Sequence, residues 1–427
     1  MACHVKYPLF LLWSCAATLL IAYSAEAEQS PGPGSGKNSL PYYPQPYDFP
    51  NEQLYQAYLV IQRFKKTITC DPRKITSTWA GHDICGKASY LGFSCSSPSV
   101  PSKNLTITSI NFHGFGVCAP KLQGFIDQLP DLAIFEATSN RFGGDIPRLA
   151  DNPADQTYQP LGRLCTYAEI ELLIKTGASI LCNFGYGIQK EEELVSRPGW
   201  TNGKVLILNN NRLSGVLPAD IGFSALSFLA LANNKLTGQI PPSIGHLQDS
   251  LLELVLLNNQ LSGCLPHELG MLHKAAVIDA GMNQLTGPIP ASFSCLRSVE
   301  QLNLAGNRLY GEVPDALCKL AAGPPAGRLA NLTLSGNYFT SVGPACAALI
   351  KDGLLDVHNN CIPGLASQRR PADCAAFQRQ PKACPAAASA QLTCPTTAAK
   401  DSASAPPPGE RKGRDYSSYV TYATLHE

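Results

Sequence analysis

The chain has 427 residues, a formal net charge of +1 and 15% charged residues. This balance gives no basic footprint for nucleic acid, so nucleic-acid binding is not expected. A chain of this length could hold two or three ordinary domains, but internal repeats predict one long domain instead.

The first 27 residues are predicted to be a secretory signal peptide. A weakly basic start and an apolar core precede Ala25-Glu26-Ala27, which matches an A-x-A cleavage pattern. No later apolar run is long enough to span a bilayer, so we expect no transmembrane segment and an exported chain. Residues 28–47 are rich in Pro, Gly, Ser and Tyr, which predicts a flexible leader.

Residues 48–104 are predicted to cap the N-terminal end of the domain. From Leu54 to Ile68 the apolar residues have the spacing of one helix face. We expect this helix to lie across the first repeat and to cover its open end.

The central part of the chain, residues 105–363, consists of repeats. The stretch LALANNKLTGQIP, Leu229 to Pro241, follows the template L-x-L-x-x-N-x-L-x-G-x-I-P, and similar stretches begin at Leu206, Leu254 and Leu302. Successive template asparagines from Asn211 to Asn307 lie 23, 25, 24 and 24 residues apart. A fixed period of this size is the signature of a leucine-rich-repeat solenoid.

The geometry of a stacked coil explains these residue types. Leu229 and Leu231 alternate along a short strand and therefore point to the core. The amide of Asn234 can satisfy backbone groups at the turn, so stacked copies should form an asparagine ladder. Gly238 permits a tight backbone path, and one coil cannot bury its apolar side without neighbours.

These motifs resemble leucine-rich-repeat extensins and their extensin-less relatives. The resemblance rests on the L-x-G-x-I-P repeats, the cap residues Asp71-Pro72 and Trp79, and the stretches beginning NFHGFGVCAP and NYFTSVGPAC. It implies an α/β solenoid of the plant-specific repeat subtype, a right-handed superhelix with disulfide-bonded N- and C-terminal caps. It also implies a Cys85–Cys95 disulfide.

The functional implication of this resemblance is a secreted, extracellular cell-wall protein. It would recognise small, basic, cysteine-rich signalling peptides in the control of wall growth, with a homodimer or a wall polysaccharide as further partners. An inhibitor of polygalacturonase-type wall-degrading enzymes and a structural wall glycoprotein are the alternatives.

Between Asn140 and Asn211 the template fails for 71 residues, close to three periods. Residues 150–200 are therefore interpreted as irregular structure, with two degenerate coils, an inserted subdomain or a faulty gene model as alternatives. Cys165 and Cys182 could staple this segment.

Fourteen cysteines remain after the signal peptide, an even number that predicts disulfides in an oxidising compartment. Cys295 and Cys318 lie one period apart, and neighbouring coils are about 4.8 Å apart, so this pair is within disulfide reach. Residues 364–394 are predicted to form a C-terminal cap, in which Cys346, Cys361, Cys374 and Cys384 crowd together.

The tail and two modification sites complete the chain. Residues 395–427 have the composition of a disordered tail. Asn104 and Asn331 begin N-glycosylation sequons. A glycan on Asn331 would screen part of the strand face.

The strand register predicts a binding site on the concave strand face. Its residues share an outward direction, and they are Val205, Ile207, Phe228, Ala230, Glu253, Val255, Leu257, Asp279 and Asp356. The apolar members form a contiguous patch that predicts an interaction surface, unless the segment before Trp200 or the leader covers it. Glu253, Asp279 and Asp356 are candidates for contacting a basic partner, unless they are scattered solvated carboxylates.

Catalysis is not expected. Asp279, Asp356 and His358 share a face, but the sequence contains no nucleophile elbow, zinc-protease motif or paired-carboxylate motif. No cofactor is predicted, and no metal site, because the cysteine and histidine spacings of metal sites are missing.

Overall fold

The computed structural model describes residues 44–86, 89–97, 104–149, 204–322 and 328–381, together with Cys384 and Cys394. The predicted signal peptide, most of the leader, residues 150–200 with Cys165 and Cys182, and the tail lie outside these residues.

A ten-stranded sheet runs through the described residues. Its first strand is antiparallel to the second, and the remaining pairs are parallel. In spatial order the strands are β1 (Phe93–Ser96), β2 (Thr106–Asn111), β4 (Ile134–Glu136), β6 (Lys204–Ile207), β7 (Leu226–Ala230), β9 (Glu253–Val255), β11 (Val277–Asp279), β13 (Gln301–Asn303), β15 (Asn331–Thr333) and β17 (Leu355–Asp356). Each strand from β2 onward begins one coil, and we number these coils 1 to 9 along the chain.

Further short strands form a second layer, which is also parallel. A five-stranded sheet contains β8 (Thr237–Gly238), β10 (Gln260–Cys264), β12 (Gln284–Gly287), β14 (Arg308–Val313) and β16 (Tyr338–Val342), while β3 (Cys118–Ala119) pairs with β5 (Arg141–Phe142).

Helical segments complete the coils and the two ends. The α-helices are α1 (Glu52–Lys65), α2 (Asp315–Cys318), α3 (Pro344–Lys351) and α4 (Pro371–Gln378). Short 3-10 helices span Pro46–Asp48, Ile75–Thr78, Ile126–Gln128, Ile221–Phe223, Pro242–Leu247, His267–Met271, Ala291–Cys295 and Lys319–Ala322.

Coil 4 shows how the template produces this architecture. Leu229 and Leu231 are fully buried in the main core, as their alternation predicts. Asn233 then takes a left-handed backbone with φ 56°, which asparagine tolerates better than most residues. This turn directs the next residue, Asn234, into the interior of the coil.

The predicted asparagine ladder is present. The amide of Asn234 donates to the carbonyls of Leu208 and Leu231 at 3.0 Å, and its Oδ1 accepts from the backbone N–H of Leu213 at 3.0 Å. Each amide therefore bridges two coils. The other ladder residues, which are buried in the same way, are Asn140, Asn211, Asn259, Asn283, Asn307, Asn337 and Asn360.

The sheet is continuous across the long gap in the template. Glu136 of β4 pairs with Ile207 of β6, and the N–H of Phe142 donates to Asn211 Oδ1 at 3.1 Å. Coils 2 and 3 are therefore direct neighbours, so no further coil lies between them in the sheet.

The N-terminal cap covers coil 1 through aromatic packing. Phe64 of α1 stacks on Phe125 of coil 1 with ring centroids 3.9 Å apart. Trp79 is fully buried and donates its indole N–H to the carbonyl of Leu91 at 3.0 Å. A disulfide joins Cys85 to Cys95, the pair that the resemblance implied.

The C-terminal residues do not stay at the end of the stack. Helix α4 follows coil 9, but Cys384 is bonded to Cys264 of coil 5, and Cys394 to Cys295 of coil 6. We call α4, Cys384 and Cys394 the strap. Within it Phe377 stacks on Tyr338 of β16 with ring centroids 3.7 Å apart. The strap therefore returns along the second sheet over several coils.

The predicted Cys295–Cys318 disulfide is wrong. Cys318 ends α2 and is bonded to Cys346 in α3 of the next coil, with Cα atoms 5.1 Å apart. Cys295 ends a 3-10 helix and is bonded to Cys394. The close spacing of coils allowed either neighbour as a partner, and the two consecutive α-helices place Cys318 beside Cys346. Of the four cysteines assigned to the cap, Cys361 and Cys374 are bonded to each other.

Candidate functional site

The surface of the ten-stranded sheet that faces away from the main core is the concave face of the prediction, and we call it the sheet face. Its central row follows directly from the strand register. The row contains Asn111, Glu136, Ile207, Ala230, Val255, Asp279, Asn303, Thr333 and Asp356. Polar residues therefore occupy both ends of this row and apolar residues its middle.

The apolar middle of the sheet face is buried, which contradicts the predicted exposed patch. The six predicted residues keep 2–9% of their surface exposed, and they are Val205, Ile207, Phe228, Ala230, Val255 and Leu257. They form a cluster separate from the main core, with Ile134 and Leu252 packed against it. Strands β6, β7 and β9 are thus apolar on both faces. The prediction that the segment before Trp200 or the leader covers this patch concerns residues outside those described.

A carboxyl group is buried at the N-terminal end of the central row. Glu136 is 4% exposed, and its Oε2 accepts from the amide of Asn111 at 2.9 Å. The Nδ1 atom of His113 lies 3.4 Å from Oε1. Burial raises the pKa of Glu136 to about 7, because desolvation disfavours the charged form. The sequence rules did not single out this residue.

Two carboxylates lie on coils 6 and 9 of the same row. Burial raises the pKa of Asp279 to about 6, although hydrogen bonds from the backbone of Gly281 and from Asn303 oppose this change. Asp356 is half-buried, which by itself would raise its pKa, but hydrogen bonds from His358 and Ser335 outweigh burial and leave the pKa lowered. Asp356 Oδ1 lies 2.6 Å from His358 Nδ1. Glu253 of coil 5 lies in the neighbouring row.

Coils 5 to 9 present no lysine or arginine on the described sheet face. Their outward strand positions hold the three predicted acidic residues and otherwise neutral side chains. The neutral ones are Val255, Val277, Gln301, Asn303, Asn331 and Thr333. This half of the sheet face therefore has negative charge that no nearby lysine or arginine on the same strands balances.

The sequence analysis missed a second asparagine ladder at the edge of the sheet face. The amide of Asn233 donates to Asn210 Oδ1 at 2.7 Å, and that of Asn258 donates to Asn233 Oδ1 at 2.7 Å. All three residues have a left-handed backbone. The repeated Asn-Asn pair was the signal, because the first asparagine makes the turn and the second fills the interior.

Both predicted glycosylation asparagines are exposed. Asn104 precedes β2, and Asn331 begins β15. The hydroxyl of Thr333 donates to Asn331 Oδ1 at 3.2 Å. A glycan at Asn331 would therefore leave from the sheet face of coil 8.

Within the described ranges, no group of three His, Cys, Asp or Glu residues is placed to hold a metal ion. Among those residues, too, no helix combines the length and hydrophobicity needed to cross a membrane.

The stacked coils and the ladder define a leucine-rich-repeat solenoid. A family model described as Leucine Rich Repeat matches residues 225–247 and 298–320, which lie in coils 4 and 7. This match agrees with the fold class predicted from the repeats.

The curated relatives narrow the class. Leucine-rich repeat extensin-like protein 1 of Arabidopsis thaliana is 40% identical over 100 residues, which cover 23% of this chain and 13% of the relative. Leucine-rich repeat extensin-like protein 2 of the same plant is 39% identical over 100 residues, covering 23% and 12%. The resemblance to leucine-rich-repeat extensins is thus confirmed. The match spans about an eighth of these relatives' length.

Solved plant structures are also similar to the chain. A plant ice-binding protein is 22% identical with a TM-score of 0.47, and the match covers 72% of this chain and 80% of that one. The leucine-rich-repeat ectodomain of the Arabidopsis thaliana membrane receptor kinase GASSHO1/SCHENGEN3, in complex with CASPARIAN STRIP INTEGRITY FACTOR 2, is 23% identical. Its TM-score is 0.46, with 72% of this chain and 33% of that chain covered.

Proposed function

We propose that the protein is a secreted, non-catalytic binding protein of the plant cell wall. It holds a small, basic, cysteine-rich signalling peptide against coils 5 to 9 of the sheet face. The described cysteines form six disulfides, and such bonds persist in oxidising, extracellular compartments. The similarity to extensin-like proteins supports the wall as the site of action.

The observation that carries this proposal is the unbalanced acidity of coils 5 to 9. Asp279 and Asp356 stand three strands apart in one row, which corresponds to about 14 Å at the usual strand spacing. Between them lie Asn303 and Thr333, whose side chains can accept or donate hydrogen bonds. A cationic peptide lying across the strands could contact both carboxylates at once. Complementary charge of this kind favours the encounter and selects the partner.

The same residues do not make a hydrolytic site. Ser335 and His358 both bond to Asp356, so the carboxylate lies between them. A serine nucleophile needs the imidazole as its direct partner. This arrangement supports binding rather than catalysis.

The experiment measures the affinity of the secreted protein for a synthetic basic peptide with its disulfides formed. The comparison variant is Asp279→Asn combined with Asp356→Asn. Loss of two charge contacts should weaken binding about tenfold. A peptide with its cations replaced by glutamine should bind weakly to both proteins.

A matched control removes two exposed carboxylates elsewhere, Glu312→Gln with Asp352→Asn, and should bind like the wild type. The pH profile adds a second readout, because Asp279 has a pKa of about 6. Affinity should rise between pH 5 and pH 7 in the wild type, and this rise should be reduced in Asp279→Asn. Equal affinity of the wild type and the double variant at pH 7 would refute the proposed site.

A further inference from the structure

Three cations occupy equivalent positions on successive coils. Arg141, Arg212 and Lys235 each follow a ladder asparagine, and we call them the basic row. The N–H of Arg212 donates to the carbonyl of Phe142 at 2.9 Å, and that of Lys235 donates to the carbonyl of Leu213 at 2.8 Å. These backbone bonds place the three residues side by side on coils 2, 3 and 4, roughly 4.8 Å apart per coil.

The basic row is exposed and lacks counter-charges among the described residues. All three side chains are solvent-exposed, and none forms an ion pair with a described carboxylate. Asp145, whose carboxylate lies over Gly215 of coil 3, makes no such pair either. Like charges held this close repel one another, so a bound anion would relieve a cost that the fold already bears.

Two neighbouring features extend this surface. Lys121 of coil 1 packs its side chain beside Gly144 of coil 2, which carries the positive charge towards coil 1. On the other side of the row lies the second ladder, formed by Asn210, Asn233 and Asn258. Cations therefore run parallel to a line of amides, and amides can donate to and accept from hydroxyl groups.

The shape and chemistry of this surface fit one class of ligand. Positive charge repeated at one step per coil matches a linear polyanion better than a compact anion. Arginine binds carboxylates with charge-assisted hydrogen bonds, and the amides suit sugar hydroxyls. The disulfides favour an extracellular partner. We propose that the basic row binds an acidic polysaccharide, a linear chain whose sugar units carry carboxylates.

This surface lies at the edge of coils 2 to 4, apart from the peptide site proposed on coils 5 to 9. The two proposals can therefore succeed or fail separately. The test uses the secreted full chain and two probes, polygalacturonate and its fully methyl-esterified form, which has the same backbone without the charge.

The test variant is Arg141→Gln with Arg212→Gln and Lys235→Gln. Removing three surface cations should weaken binding to polygalacturonate about tenfold, and the remaining binding should depend less on salt. A charge-conserving variant, Arg141→Lys with Arg212→Lys, should keep most of the affinity. The matched control removes three exposed cations from other coils, Arg297→Gln, Arg328→Gln and Lys351→Gln, and should bind like the wild type.

Each other outcome overturns the proposal. Equal binding of the methyl ester would show that carboxylates are not recognised. Equal binding by the test variant would place the contact elsewhere, and failure of the wild type to bind polygalacturonate would remove the ligand class. Sedimentation with phosphatidylserine vesicles, in the absence of polygalacturonate binding, would assign the basic row to an anionic membrane instead.

Discussion

Replacing Asn259 by alanine tests the ladder as the main polar element of the core. Asn259 Oδ1 accepts from the N–H of Leu236 at 3.0 Å, and its amide donates to the carbonyls of Leu231 and Leu256 at 3.0 and 3.1 Å. Both carbonyls keep a second donor, Asn234 and Asn283. The buried N–H of Leu236 has no such substitute among the described hydrogen bonds.

The magnitude follows from this asymmetry. An orphaned buried N–H costs about 2 kcal/mol, and each lost hydrogen bond to a shared carbonyl about 1 kcal/mol. Asn259→Ala should therefore lower the free energy of unfolding by about 4 kcal/mol. The neighbouring Gln260 is exposed, so Gln260→Ala should change it by less than about 0.5 kcal/mol.

The assay is guanidinium unfolding of both variants and the wild type, followed by far-UV circular dichroism with the disulfides intact. The slope of the transition should be similar in all three proteins. A loss below about 1 kcal/mol for Asn259→Ala would refute the reasoning, because it would mean that the ladder bonds are replaced without cost.

Three further predictions concern other parts of the fold. Phe228→Ala should cost about 3–5 kcal/mol in an unfolding titration because it opens a cavity, whereas Val216→Ala, at a residue 56% exposed, should be nearly neutral. Glu136 has a folded pKa of about 7 against an ordinary 4.5, so stability should be full below about pH 4.5 and fall by up to about 3 kcal/mol as the pH rises through 7. Glu136→Gln should abolish this fall, and an unchanged pH profile would contradict the assignment. Replacing Cys264 and Cys384 by serine should lower stability by about 2–4 kcal/mol, and peptide mapping of the wild type should recover these two cysteines linked.

The repeat register was predictable because it is a local property. Period, strand alternation and the buried amide of Asn234 all follow from residues within one coil and its neighbours. The same rules placed Phe228 and Leu257 on the outward side of their strands, as observed in the separate cluster that they form. Their burial was not predictable, because alternation assigns a side chain to a face and does not report what else packs on that face.

The disulfides failed for a related reason. Equivalent positions in adjacent coils are close by construction, so spacing made Cys295–Cys318 and Cys318–Cys346 equally feasible. The return of the strap to Cys264 and Cys295 joins residues 120 and 99 apart in the sequence. No periodic signal encodes contacts between such distant residues. The acidity of coils 5 to 9 could be read from the sequence, whereas the hydrogen bonds that hold Asp356 required the structure.

The strap also determines how the solenoid would bear mechanical load. A pulling force on the chain beyond Cys394 reaches the stack first at Cys295 of coil 6 through their disulfide. It does not begin at coil 9, where it could peel coils away one at a time. The tension divides instead between both sides of coil 6, and the covalent bond at Cys264 shields the last coils from unravelling. A stack fastened in this way would resist extension by shear across several strands rather than by sequential opening.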